Sequence, residues 1–261
     1  MNDAVLLFEA TGAVARLTLN RPKAMNAMNL AMLAALDGHL DEIARRDELK
    51  VLVLTGNGPA FCAGADLKEV LAGASLAAGQ ADFLDHASRV FGRLRNFSKP
   101  VIAALNGVTM AGGLELAMCA DIVVAAESAT IGDAHANFGV YPGAGGAAVL
   151  PRLIPLNMAL YLLFTGKTLS ATQMLNCGLV NEVHPDAQLA QAVQELAENI
   201  AAKSPVALSR MKAVARGAAD KTQADALLHE QVMLRQHLRS ADLQEGLRAF
   251  AEKRAPLFSG R

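Results

Sequence analysis

Cysteine is scarce in this chain, with three residues in 261 (Cys62, Cys119 and Cys177), and no two of them fall in a CxxC spacing. An odd number of thiols at apolar positions argues against a disulfide framework and for reduced, packed side chains. An excess of either charge is missing too: 24 Lys and Arg against 25 Asp and Glu leave a formal net charge of -1. That balance gives no reason to expect nucleic acid or an anionic membrane as a partner. No apolar run continues long enough between polar residues to span a bilayer. The opening MNDAVLLFEATG carries Asp3 and lacks a basic n-region, so it reads as a first strand rather than a secretory signal, and a cytoplasmic location is expected.

Several chemistries lack their residues. His39, His86, His184, His229 and His237 have no metal-ligand spacing with cysteines or carboxylates, so no metal is expected. There is no GxSxG elbow for a serine nucleophile. Gly166-Lys167-Thr168 imitates the end of a P-loop, but the first glycine of that motif would fall at Tyr161. Gly143 to Ala148 fits a loose GxGxxA, yet no full strand precedes it and no acidic residue follows at the distance a dinucleotide site requires.

What is present is a chain 52% hydrophobic, enough to bury one large α/β core with a small helical appendage. Strands are predicted at Val5–Phe8 and Val14–Leu19, joined through Thr11-Gly12. Asn29 then caps a helix whose apolar face is Met32, Leu33, Leu36, Leu40 and Ile43. Lys50–Leu54, Val101–Leu105 and Asp121–Ala125 read as further strands, with a helix over Ala81–Arg95, and this alternation implies parallel pairing. Ser170 to Gln173 forms a capping box before a helical Met174–Cys177 that stops at Gly178, and Leu179–Val183 reads as a short last strand. Beyond it the pattern is helical, with Ser204-Pro205 marking a helix start and a soft boundary near residue 200.

The densest signal lies in Val101 to Gly146, an apolar stretch rich in small residues that carries two isolated polar groups, Glu115 and His135. Asn106-Gly107 marks a turn, and Gly112-Gly113 precedes a short helix predicted from near Leu114, leaving unpaired N–H groups at its start. Upstream, TGNGPAFCAGADL leads from a strand to a helix start placed near Ala65, with Gly64 permitting close backbone approach. Two such donors aimed at one oxygen make an oxyanion hole. Asp133 and Asn137 flank His135 at two residues' distance, where an extended segment would face them the same way to orient it or contact substrate, the alternative being simple loop capping.

FCAGADL (Phe61 to Leu67), NGVTMAGGLELAMCADI (Asn106 to Ile122) and YPGAGG (Tyr141 to Gly146) together resemble the crotonase, or enoyl-CoA hydratase/isomerase, superfamily. LTLNRPKAMNAM (Leu17 to Met28), LFTGKTLSATQMLNCGLVNEV (Leu163 to Val183) and LQEGLRAFAEKRAPLF (Leu243 to Phe258) extend the resemblance over nearly the whole chain. It implies an α/β fold, a crotonase-like ββα superhelix in residues 1–200 holding a CoA-ester site. Residues 201–261 would be a C-terminal helical region for trimerisation, as a homotrimer or a homohexamer. Apolar positions such as Leu227, Leu228, Leu234, Leu238 and Phe250 exceed what a short appendage can bury alone and agree with such an assembly.

The resemblance places oxyanion donors at Ala65 and Gly112 and a catalytic carboxylate at Glu115. His135 stands where typical hydratases of the family carry a second Glu. The resemblance also implies CoA contacts at Ala63, Ala65, Leu67 and Lys68, with Lys23 a further phosphate candidate and Phe250 and Lys253 reaching CoA from a neighbouring subunit. Coenzyme A enters only as part of an acyl-CoA thioester substrate, so no separate cofactor is expected. The leading expectation is an enoyl-CoA hydratase-like lyase in which Glu115 activates water and His135 donates a proton to Cα. Double-bond isomerisation, decarboxylation and C–C hydrolysis of a CoA ester remain open, as does a weakly catalytic CoA-ester-binding protein.

Overall fold

A computed structural model describes residues 4–73 and 82–261. β1 (Leu6–Thr11) and β2 (Val14–Leu19) form the expected hairpin and lead to α1 (Leu30–Arg45). The Asn29 side chain accepts from the Met32 N–H at 2.9 Å, and the five apolar residues predicted for the inner face are its five buried ones. β3 (Val51–Gly56), β4 (Ala60–Cys62), α2 (Leu67–Gly73) and α3 (Phe83–Arg95) follow. Asp82 and Asp85 form a reciprocal capping box that starts α3, and residue 81, the predicted first residue, lies outside the described residues. Next come β5 (Val101–Leu105), β6 (Val108–Met110), α4 (Gly112–Ala117), β7 (Ile122–Ala126) and β8 (Thr130–Gly132).

The remaining elements are α5 (Leu150–Leu153), α6 (Leu156–Thr165), β9 (Thr168–Ser170), α7 (Ala171–Asn176), β10 (Glu182–His184) and α8 (Leu189–Ala201). The C-terminal region contributes α9 (Pro205–Ala218), α10 (Gln223–His237) and α11 (Ala241–Glu252). The predicted last strand moves from Leu179–Val183 to β10, because Leu179 and Val180 bond back to the Met174 carbonyl and complete the turn closing α7. The capping box at Ser170 and Gln173 forms as expected but starts α7 at Ala171, three residues before the predicted Met174.

Six strands make one sheet in the order β1-β2-β3-β5-β7-β10, antiparallel only at β1. A second sheet, which sequence periodicity did not reveal, runs β4-β6-β8-β9, with the first three parallel. Three-residue strands are too short for an alternating pattern to register. The chain therefore makes the same move three times: a strand in the large sheet (β3, β5, β7), a strand in the small one (β4, β6, β8), then a helical segment. This is the ββα superhelix the resemblance implies. All of β5 is buried, α8 packs across β2, β3, β5 and β7, and α1 packs against α3. After Ser204 the chain is three helices and a non-helical tail, residues 254–261.

Candidate active site

β4, β6 and β8 lie side by side and parallel, so their C-terminal ends open on one crevice. β4 ends at Cys62 and delivers Ala63, Gly64 and Ala65; β6 ends at Met110 and delivers Gly112 and Glu115; β8 ends at Gly132 and delivers Asp133 and His135. Residues about 20 to 70 positions apart in sequence thus become neighbours through one or two repeats of the spiral.

α2 starts at Leu67, two residues after the start expected near Ala65. Ala65 instead bridges Met28, with Met28 donating to the Gly64 carbonyl at 2.8 Å and Asp66 donating to the Met28 carbonyl at 2.7 Å. Both bonds use neighbours of Ala65 and leave its own N–H without an acceptor among the described residues. An ion pair of Arg21 with Asp66 at 2.9 Å pins this connection. α4 begins at Gly112, two residues before the predicted Leu114, and the Gly112 N–H is likewise without an acceptor among the described residues. A Cβ at Gly112 would lie 3.3 Å from the Ala65 nitrogen, so the two amides converge only because that position is glycine.

Ala111, which aims Gly112, has φ +48° and ψ -121°, a conformation that costs a non-glycine residue about 1–3 kcal/mol. Its N–H donates to the Gly132 carbonyl and its carbonyl accepts from the Glu115 N–H, each at 3.1 Å. The strain is held from both sides, at the point where β6 and β8 end together.

Glu115 is 3% exposed. Its Oε1 accepts from the Ala144 and Gly146 N–H groups, both at 2.8 Å, while Oε2 accepts from no described residue. The PGAGG loop therefore orients one carboxylate oxygen and leaves the other for chemistry. His135 opens a 3-10 turn, His135–Phe138, behind Ala134 in the left-handed region at φ +58°. Its Nδ1 lies 2.9 Å from Asp133 Oδ1. Burial pulls the imidazole pKa down, but the Asp133 hydrogen bond and charge, with the Glu115 charge behind them, outweigh it and leave the net shift upward. Asn137 does not join them, because its side-chain amide donates to the Gly166 carbonyl at 3.0 Å and so caps the end of α6.

The positions singled out for CoA follow the same connection. Ala63 donates to the Met25 carbonyl at 3.0 Å, Leu67 and Lys68 are exposed on the first turn of α2, and Lys23 is exposed in the 3-10 turn Pro22–Ala24. Phe250 is 86% exposed on α11, and Lys253 caps that helix in the left-handed conformation. Three contributors escaped sequence reasoning: Arg21, the strained Ala111, and Asn26. Asn26 is fully buried and ties the turn before Met28 to the Asn57 and Ala60 carbonyls at 2.9 and 2.7 Å. Asn and Arg at ordinary loop positions carry no periodic signal. Among the described residues no three His, Cys, Asp or Glu side chains gather as a metal site, and no helix is long and apolar enough to cross a membrane.

A ββα spiral with open amides beside a buried carboxylate places the molecule among crotonase-fold enzymes. The enoyl-CoA hydratase/isomerase family model matches residues 9–261. The chain is 38% identical to the 2,3-dehydroadipyl-CoA hydratase of Escherichia coli, over 94% of each chain. It is 37% identical to the short-chain-enoyl-CoA hydratase of Clostridium acetobutylicum, over 97% of this chain and 96% of that one. The crystal structure of enoyl-CoA hydratase from Bacillus anthracis superposes with a TM-score of 0.92 at 35% identity, covering 98% of this chain and all of that one. The chain belongs to the enoyl-CoA hydratase/isomerase family and is an enzyme of enoyl-CoA hydratase-like function.

Proposed function

We propose that this enzyme adds water across the Cα–Cβ double bond of an enoyl-CoA thioester. The observation that carries the reading is the convergence of the Ala65 and Gly112 amides, without an acceptor among the described residues, beside a carboxylate that those residues hold by one oxygen. The thioester oxygen sits between those N–H groups, which strengthen their hold as it gains negative charge. Glu115 Oε2 takes a proton from water, the water oxygen bonds to Cβ, and the π electrons move onto the thioester as an enolate. The enolate then takes a proton from His135 Nε2 at Cα, whose N–H electron pair stays on the imidazole. The proton on Glu115 and the vacancy on His135 cancel through solvent, so one water is consumed.

CoA enters as part of the substrate and no separate cofactor is used. Its adenine rests against backbone groups near Ala63, Ala65 and Leu67, its phosphates meet Lys68 and Lys23, and Phe250 and Lys253 reach the CoA of a neighbouring subunit. Residues 1–200 form the catalytic core and 201–261 the oligomerisation region of a cytoplasmic homotrimer or homohexamer. Support for assembly comes from Leu227, Leu228, Leu234, Leu238 and Phe250, each more than half exposed in the single chain. A light-scattering mass of one chain at micromolar concentration would refute the assembly.

His135 in place of a second acidic group is the observation that keeps isomerisation, decarboxylation and C–C hydrolysis as the second reading, since each passes through the same enolate. Loss of enoyl absorbance with crotonyl-CoA tests hydration directly. His135→Ala abolishes it while CoA-ester affinity stays, and His135→Glu retains or raises it. Turnover of another CoA ester with none of any enoyl-CoA would favour the second reading, and binding without any turnover would reduce the protein to a CoA-ester carrier.

A further inference from the structure

Asp133 is 1% exposed, and its Oδ2 is buried without a hydrogen-bond partner among the described residues. Its other oxygen, Oδ1, faces the His135 imidazole Nδ1 at 2.9 Å and the His135 backbone N–H at 3.3 Å. Gly146 closes the far side: a Cβ there would lie 2.6 Å from Oδ2, and the same residue donates its N–H to Glu115 Oε1 at 2.8 Å. One glycine therefore seats both carboxylates, one by its N–H and the other by its missing side chain.

We propose that Asp133 is a positioning residue that fixes His135 in the Nδ1–H tautomer and turns Nε2 toward the substrate, making the proton donor at Cα a His–Asp dyad. This rests on the reading of His135 as that donor. A buried carboxylate with few donors is costly, and among the described residues the imidazole is the one side chain that donates to it. Asp133 therefore binds the imidazolium more strongly than it would if other donors shared its charge, and His135 keeps its proton until the enolate forms.

The groups facing His135 agree with this. Asp133 from its own loop and Glu115 from α4 both favour the protonated ring. α6, packed on the same turn, carries no acidic or basic residue, and its Tyr161 ring lies under the Lys167 ammonium. The donor thus differs from a carboxylic acid in its working range. Hydration falls as pH rises through the imidazole pKa, and dehydration of the 3-hydroxyacyl-CoA, which needs the neutral ring to take the Cα proton, rises through the same range.

The test is NMR of histidine-labelled protein, with the His135 signal assigned by its absence in His135→Gln, joined to pH profiles of crotonyl-CoA hydration. Asp133→Asn keeps the shape and the oxygen that accepts from the His135 backbone, so a purely structural Asp133 would move neither readout. The dyad predicts a neutral wild-type ring protonated at Nδ1 and, in Asp133→Asn, an imidazole pKa lower by about one unit. It also predicts a kcat about tenfold lower at pH 7.5 with little change in KM, and an alkaline limb displaced to lower pH. An Nε2–H tautomer in the wild-type protein overturns the proposal even if the variant fails to fold. An unchanged imidazole titration in folded Asp133→Asn overturns it as well. Absence of wild-type crotonyl-CoA turnover would sink the hydratase reading alone, because the NMR arm still decides the dyad.

Discussion

Asp133 and Asp242 are buried alike, each about 1% exposed, and their surroundings treat them in opposite ways. Asp242, at the start of α11, accepts from Ser204 Oγ at 2.6 Å and from the Ser259 and Gly260 N–H groups at 2.8 and 3.0 Å. Burial raises its pKa, but these donors outweigh that and hold it below the usual carboxylate range. They also tie the tail to α11 and to the start of α9. Asp133 keeps one oxygen for His135 and leaves the other with no partner among the described residues. A saturated carboxylate holds chain segments together. An undersupplied one leaves its charge to the single imidazole beside it, an arrangement that a reaction can use. Glu115 stands between them, with one oxygen saturated by two backbone donors and the other left open.

That contrast can be broken by substitution. The largest effect is expected for Glu115→Gln, which keeps the acceptor for Ala144 and Gly146 but removes the base: kcat should drop by at least about a hundredfold with the melting temperature nearly unchanged. Turnover near wild type would take Glu115 out of the chemistry. Gly146→Ala comes next, since its Cβ would fall 2.6 Å from Asp133 Oδ2 and 2.7 Å from Pro142 Cβ. Steady-state kinetics should show an activity loss of about tenfold or more, because misplacing groups by an ångström is that costly. A fully active Gly146→Ala would show that the loop does not seat the two carboxylates.

Asp242→Ala should behave in the reverse way. Losing a buried acceptor that serves Ser204, Ser259 and Gly260 is expected to cost about 2–3 kcal/mol in denaturant unfolding, while kcat per folded site is unchanged. The pH dependence follows from the depressed pKa. Asp242 contributes its stability in full above the unfolded carboxyl pKa of about 4, and loses it as pH falls through its lower folded value. Acid unfolding of Asp242→Ala should therefore converge on wild type at low pH; a constant offset across the whole range would contradict this. The smallest effect concerns the thiols. Burial pushes Cys62 up to about 12 and Cys119 up to about 11, so a disulfide reagent at pH 8 should label Cys177 and leave both untouched in the native protein.

Much of this was legible in the sequence, for a definite reason. Asn29, Ser170 and Ser204 act through their own neighbours, so their caps can be read from a few consecutive residues, and the inner face of α1 follows from 3.6-residue periodicity alone. Glu115 and His135 stood out because polar residues in an apolar stretch need an explanation. The motif resemblance carried the fold and pointed to Ala65 and Gly112. The start of α4 at Gly112, the left-handed Ala111, the role of Gly146 and the diversion of Asn137 to Gly166 were decided by tertiary structure. Each depends on what β4, β6 and β8 bring alongside from distant parts of the chain. Whether Asp133 would cap a loop or hold an imidazole could not be settled by its two-residue spacing from His135. It was decided by which donors the folded chain brings within reach of its second oxygen, and among the described residues there are none.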